Sequence, residues 1–542
     1  MDKRTLMAVA LAILVMSGYS FIMQKYYPAP KQAVTQTADA ATSKTVSNIP
    51  STVSSQNLTE FPSHESIRLS SENVDYELSD IGASIKSINI KKHNNLYKDE
   101  TVYETVYPGA AIFSLSGIAG SEDLDKAKYR FTKTDNGGEF ILDLKNGLQI
   151  RKIYALNNGN GLNLEVKIKN TTNQAVKFGY AIVGVSSIKT ASAQDAGFVD
   201  SSVYLSGKRV KVKPPRTIDS TGNIYIGSVD WAALQGKYVT LVAKPFQKTV
   251  SVTVSKLPNN NSSLMFTNET VEIASNETVS SRFFLYSGPV NSAAMAKYQV
   301  GIENSVNLGI FGDISKFLLW LLGLFYKIFH NYGVAIILVA ILISMVLYPL
   351  TLKSFKSMKE MQILQPKIEK LRKEHKDNPQ KLNKEIMELY KKHKVNPFGG
   401  CLPMILQMPI FIALYQAFSR AAELRAAKFL WIKDLSLPDK AFFIPTGTET
   451  GIPVNILPIL MAITMFFQQK LSATTTHAAS SDKEDVLQQQ QKIMTIMMPI
   501  LFGFIFYNMP SGLVLYWFIN TLIMFFQQAR IMKSFHVETA IL

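Results

Sequence analysis

Asn396-Pro-Phe-Gly-Gly-Cys-Leu-Pro-Met-Ile-Leu-Gln-Met-Pro-Ile-Phe-Ile-Ala-Leu-Tyr415 runs without a break from a strongly basic segment into an apolar one. Pro403, Gln407 and Pro409 lie inside the apolar part. A helix whose only task is to sit in lipid is poorly served by them. Proline removes a backbone donor and kinks a helix, and a buried amide needs hydrogen-bond partners. In a membrane such residues turn toward a cavity or toward other helices. Two readings stand at this point: a wet cavity wall, and a kinked helix packed in a bundle.

The chain around this stretch has 542 residues, enough for more than one domain. Its net charge is +16. Beside apolar spans, such an excess reads first as cytoplasmic loops and anionic lipid head groups, not DNA. Cys401 is the only cysteine, which excludes disulfides within the chain and a four-cysteine metal site. The seven histidines are scattered, with no metal-site spacing and no serine nucleophile motif nearby. No catalytic residue, metal or cofactor is implied.

Lys3 and Arg4 precede an uncharged apolar run, Thr5 to Met23. The run is longer than a signal-peptide core and lacks a small-x-small cleavage site. Residues 1–27 therefore read as an uncleaved anchor with a cytoplasmic N-terminus. Residues 28–66, rich in Ala, Thr, Ser, Gln and Pro, read as a flexible linker.

Residues 67–305 change to short alternating runs such as Leu162-Asn-Leu-Glu-Val-Lys-Ile168 and Thr249-Val-Ser-Val-Thr-Val254. Turn signals such as Asn157-Asn-Gly-Asn-Gly161 separate them. Period two with such punctuation predicts antiparallel sheet, here a large β-sandwich on the exported side. A sugar-binding or enzymatic role for it would call for a histidine–carboxylate cluster, and His64 and His93 have no evident partner set. Residues 306–331 contain an amphipathic helix, Ile314 to His330, expected along the outer membrane surface.

Residues 332–542 form the rest, with spans expected at Val334–Leu352, Leu402–Phe418, Ile452–Phe467, Ile493–Tyr507 and Leu513–Phe526. Several are short against the ~20 residues a bilayer needs, so the membrane is thinned there or polar residues extend the ends. With the anchor this makes six spans and puts both termini in the cytoplasm. Thr351–Phe398 is then cytoplasmic, and its 13 Lys/Arg against six Asp/Glu agree with that. Arg420, Glu423 and Arg425 fall on the outer side, against the trend.

The basic loop is itself patterned. Met361, Leu364, Ile368 and Leu371 share one helical face, as do Leu382, Ile386 and Leu389, with Asp377-Asn-Pro379 between them. This predicts a two-helix hairpin, residues 353–396, carrying Lys367, Lys370, Arg372, Lys373 and Lys376. Anionic phospholipid, ribosomal RNA and a targeting receptor are the contacts such a hairpin suits; a plain topology anchor suits it equally.

Inside the C-terminal spans almost no ionisable side chain occurs, which argues against an ion-coupled transporter or channel. Ser344, Gln407 and Asn520 fall at similar depth in the inner leaflet, with Tyr516 and Trp517 farther out on the last span. They either wet a groove or form interhelical hydrogen bonds.

At these residues the chain resembles the YidC family of membrane protein insertases. The likeness is carried by Tyr348-Pro-Leu350, Leu364-Gln-Pro-Lys367, Asn396–Tyr415, Met465-Phe-Phe467, Gln490-Gln-Lys-Ile-Met494 and Pro510-Ser-Gly-Leu-Val-Leu-Tyr516. Asp230-Trp231 and Tyr238-Val-Thr-Leu-Val-Ala-Lys-Pro245 are similar to the periplasmic sheet of its Gram-negative form. The resemblance implies a mixed architecture: a polytopic α-helical inner-membrane protein with a five-helix core, plus a large periplasmic antiparallel β-sandwich. It implies an insertase and chaperone without covalent chemistry, acting on nascent membrane proteins alone or beside the Sec translocon. A hydrophilic groove open to the cytoplasm would be lined by Ser344, Gln407, Pro409, Tyr516, Trp517 and Asn520. The chain departs from the family at Ser344, where an arginine is usual, and at Ala340, where a threonine is common. Its tail after Arg530 is short, so ribosome contact would rest on the hairpin.

Overall fold

The computed structural model describes residues 60, 65–91, 100–118, 123–190, 193–213, 217–219, 222–258, 261–375, 378–393, 395–396, 402–445, 452–474 and 486–539. The expected anchor, nearly all of the linker, His64, His93, Lys376 and Cys401 lie outside them, as does the Lys373 side chain.

The strand-patterned region folds as antiparallel sheet. A nine-stranded sheet runs, in spatial order, from Lys208–Lys211 through Val239–Pro245, Thr278–Pro289, Gly161–Asn170 and Leu148–Asn157 to Arg130–Thr134. A five-stranded sheet containing Thr249–Leu257, Asn261–Asn268 and Ala181–Ser186 faces it, and a four-stranded sheet spans Ser66–Ser70 to Glu100–Glu104. The alternation decides the faces. In Leu148–Asn157 the residues Leu148, Ile150, Lys152 and Tyr154 all point inward. The layers meet in one apolar core, where Phe266 and Phe283 stack with centroids 6.4 Å apart. A second cluster packs Trp231, Phe284 and Tyr286 against the segment that leads out of the sheet.

Among the described residues seven α-helices carry the C-terminal half: α1 Gly312–Phe329, α2 Tyr332–Glu374, α3 Pro379–Lys392, α4 Leu402–Arg420, α5 Ile456–Thr474, α6 Val486–Tyr507 and α7 Ser511–Thr539. His330, left-handed at φ 52°, ends α1, and Asn331 caps α2 by accepting from Val334 N at 3.1 Å. α7 packs against α2, α4 and α5, and α1 lies against α2 and α4. Leu318, Ile336, Leu414 and Leu513 share the resulting core. Phe317 and Trp320 point away from it.

Three expectations are revised. The first C-terminal span does not stop at Leu352: α2 continues through Pro349 and Pro366 to Glu374, so the hairpin's first arm is the span prolonged. The expected span from Ile452 begins instead at Ile456, because Ile452–Val454 pairs as a strand with Phe442–Ile444. The remaining helices run past their apolar stretches into polar ends, giving 19, 22 and 29 residues in α5, α6 and α7. Among the described residues two helical stretches, Tyr332–Ile368 and Ser511–Ile531, are long and apolar enough to cross a membrane, and Ile456–Leu471 and Thr495–Tyr507 are shorter apolar helices.

Five of the seven patterned residues form the hairpin seam; Leu371 and Leu382 stand outside it. Leu364 and Ile368 on α2 are buried, with Met361, Ile386 and Leu389 beside them and Val395 added from beyond α3. Asn378 caps α3 through Lys381 N, and Pro379 occupies its first turn.

Candidate functional site

Where α2, α4 and α7 meet, the polar residues of the apolar helices pair off. Ser344 Oγ of α2 donates to Asn520 Oδ1 of α7 at 3.0 Å. Gln407 Nε2 of α4 donates to Tyr516 Oη of α7 at 2.9 Å. Ser344, Tyr516 and Asn520 are buried, and Gln407 is half-buried. Tyr516 and Asn520 stand one helical turn apart on the same face of α7. The expected three-membered cluster is therefore two stacked pairs, with Tyr516 the partner of Gln407.

Each pair answers a cost. An unpartnered amide or hydroxyl among these side chains would forfeit its hydration. The Asn520 amide is nevertheless not saturated by strong partners. Asn520 Nδ2 is directed at Met524 Sδ, 3.7 Å away, a weak acceptor. Pro409, half-buried in α4, removes a backbone donor two residues after Gln407. Trp517, next to Tyr516, packs its ring edge-on to Phe411 at 4.8 Å and lies 5.5 Å from Phe506. Ala340, one turn N-terminal to Ser344 on α2, is fully buried and adds no polar group to this face.

The polar line continues toward the basic end of α2. Thr351 and Ser354 are buried there, and Gln528 is buried on α7. Ser344, Thr351 and Ser354 are spaced by about two and three turns, so they share one helix face. Sequence reading passed over Thr351 inside the expected span and stopped at Leu352, short of Ser354; the i, i+7, i+10 spacing of small hydroxyl residues was the available signal.

At the hairpin, Lys367 Nζ lies 3.4 Å from His393 Nε2, and His375 Nε2 meets Glu385 Oε2 at 2.8 Å. Lys370 is exposed and Arg372 half-buried. The charges past α4 face the β-domain. Arg420 Nη1 donates to Asn307 O at 3.1 Å, and Arg425 pairs with Glu100 at 2.8 Å. Glu423 accepts from Asn291 Nδ2 at 2.7 Å, and burial pushes its carboxyl above the usual range. These pairs account for charges that ran against the loop-charge trend.

Residues 324–538 match a family model described as 60Kd inner membrane protein, and residues 66–321 match one described as YidC periplasmic domain. A relative from Geotalea daltonii named Membrane protein insertase YidC is 30% identical, covering 98% of this chain and 99% of its own. One of the same name from Haemophilus influenzae is 31% identical, covering 98% of each. A solved structure described as an active YidC insertase with the first transmembrane domain resolved is 18% identical, covering 86% of this chain and 93% of its own, with a TM-score of 0.37.

Proposed function

Because this chain belongs to the YidC family of membrane protein insertases, acting at the inner membrane on nascent membrane proteins and not as an enzyme, we propose that it works through the polar seam between α2, α4 and α7. The buried pairs Ser344–Asn520 and Gln407–Tyr516 carry this reading. They supply polar groups about halfway across an otherwise apolar bundle. A client's polar tail moving through hydrocarbon pays for each unsatisfied group. A half-depth polar wall in a thinned bilayer shortens that dry distance. Partitioning of the client's apolar segment into lipid supplies the driving force, and the membrane potential adds to it for charged tails.

In this reading Ser344, Gln407, Pro409, Tyr516, Trp517 and Asn520 line a cytoplasm-open groove, continued by Thr351, Ser354 and Gln528. Ser344 in place of the family's usual arginine makes the groove one of polarity without fixed charge. Six spans place both termini in the cytoplasm and the β-domain in the periplasm. The basic hairpin with Lys367, Lys370, Arg372, Lys373 and Lys376 meets the ribosome or a targeting receptor and anionic phospholipid. Chaperone activity and cooperation with the Sec translocon belong to the same reading. Residues 1–27, 28–66, 67–305, 306–331 and 332–542 are the corresponding domains.

Site-specific photocrosslinking from Gln407, with Asn520 as a second position, tests it while a single-span client is being synthesised. Crosslinks to the client's apolar segment are expected. Crosslinks confined to the protein's own helices would return the pairs to simple helix-to-helix bonding.

A further inference from the structure

Between α4 and α5 the chain makes two apolar projections that no described residue buries. The first is a tight turn closed by Phe429 N to Ile432 O at 3.0 Å and Ile432 N to Phe429 O at 2.8 Å. Its central residues are Leu430 and Trp431. Leu430 is 76% exposed and sits at φ 51°. Glycine or asparagine suits that backbone, and a leucine there is strained. In water the exposed side chain returns nothing for that strain. The second tip is the strand Phe442–Ile444, exposed on both faces, with Phe443 at 54%. In the partner strand Pro453 and Val454 are half-buried.

Both tips are held where the helices begin. Phe429 lies against Gly333 in the first turn of α2, where a Cβ would come within 2.1 Å of the ring. Asp439 Oδ2 accepts from Leu457 N, in the first turn of α5, at 2.7 Å. Asn455, directly after the strand Ile452–Val454, donates to Tyr507 O at the end of α6 at 2.6 Å. Among the described residues the exposed charges of this segment are cationic, Lys428, Lys433 and Lys440; Glu449 lies outside those residues. Asp439 is buried and Asp434 is engaged with Ser436 at 2.7 Å.

We propose that Leu430-Trp431 and Phe442–Ile444 are a two-pronged interfacial anchor in the outer leaflet, with the three lysines at the level of anionic phospholipid head groups. Aromatic and aliphatic tips flanked by lysine are the side chains that partition at a membrane interface. Three strand residues reach about 10 Å, the depth of the head-group boundary. Lipid contact supplies the burial that the tips lack, and it explains leucine at a left-handed position. This rests on reading α5 and α6 as membrane spans.

Spin labels placed singly at Leu430→Cys and Phe443→Cys, in full-length protein with Cys401→Ser, test the anchor in phosphatidylethanolamine–phosphatidylglycerol vesicles. Collision with oxygen and with a water-soluble nickel chelate is read at each position. Ile226→Cys on the β-domain, 81% exposed, and Phe504→Cys on α6, 77% exposed, are the aqueous and lipid references. Both tips are expected to lose nickel collisions relative to 226 and to lie shallower than 504. Nickel access at both tips with shielding at 504 overturns the anchor alone. Nickel access at 504 as well overturns the span reading and the anchor with it. Shielding of both tips from oxygen and nickel alike, in vesicles and in detergent, means that protein covers them, and overturns it too.

Discussion

Ser344 on α2 gives its hydroxyl hydrogen to the side-chain carbonyl of Asn520 on α7 at 3.0 Å, in a part of the bundle where both residues are buried. The bond's worth is bounded by its alternatives. Helix-to-helix hydrogen bonds among apolar spans average about 0.6 kcal/mol, because an unfolded span also finds partners. A double-mutant cycle of Ser344→Ala and Asn520→Ala should therefore give a coupling near that figure by unfolding in bilayers. If the bond also opens for clients, Asn520→Ala should lower client insertion beyond what its stability loss explains. Insertion that tracks stability alone would assign the pair to packing.

The second pair makes a separable prediction. Tyr516→Phe removes the acceptor of Gln407 and leaves the ring's packing intact, whereas Gln407→Leu removes the amide altogether. The phenylalanine variant frees the amide, so crosslinking of a client from a neighbouring position should persist. The leucine variant should weaken it, with loss of one neutral hydrogen bond costing about 0.5–1.5 kcal/mol. Equal loss in both variants would mean that the tyrosine hydroxyl itself is the contact.

Ser344→Arg tests the absence of fixed charge. An arginine at mid-bundle costs about 2.5–3.5 kcal/mol on an insertion scale, so some loss of stability is expected. Against that background, insertion of an acidic-tailed client should rise relative to a neutral-tailed one. The same change for both would show that charge at this position has no part in client choice.

Arg425 binds the β-domain in two ways, by its ion pair with Glu100 at 2.8 Å and by lying 5.2 Å from the Tyr238 ring centroid. The ion pair is partly exposed, so its own contribution is held to about 1 kcal/mol or less. A lysine keeps the charge but not the planar stacking. Arg425→Lys should consequently loosen the junction nearly as much as Arg425→Ala, read as faster amide exchange at Leu424 and Arg425. Full protection in the lysine variant would leave charge alone as the link.

What the sequence made legible follows from how each feature is encoded. Alternation in Leu162–Ile168 became a strand with its apolar residues buried, because period two and one buried face are the same fact. Gln407 and Asn520 stood out because an amide in an apolar run is rare. Which partner each would choose was not legible, since rotation of α4 against α7 decides that Gln407 meets Tyr516. The strand Ile452–Val454 was hidden for a similar reason. Its three residues are as apolar as a span, and only pairing with Phe442–Ile444 separates them from α5. Lys152 was within reach: it falls between Ile150 and Tyr154 in the inward register, a position where a charge contradicts the pattern.

Lys152 yields the last prediction. It is fully buried, and its Nζ donates to the carbonyls of Gly82 at 2.7 Å, Phe113 at 2.8 Å and Ala83 at 3.2 Å. Burial lowers its ammonium from an ordinary 10.5 to about 7, against a smaller opposing pull from Asp125. Between those values the unfolded chain holds a proton that the folded domain has released. Stability then rises with pH through that window, and below it both states are protonated and the contribution is flat at its lowest. The slope is at most about 1.4 kcal/mol per pH unit. Lys152→Met removes the titration and strands the carbonyls, costing about 1–3 kcal/mol. Urea unfolding of the full-length protein, followed by the fluorescence of buried Trp231, should show wild type gaining on the variant from pH 7.5 to 9.5. A constant difference would mean that the three carbonyls keep the ammonium charged throughout, and that burial is fully answered by hydrogen bonding.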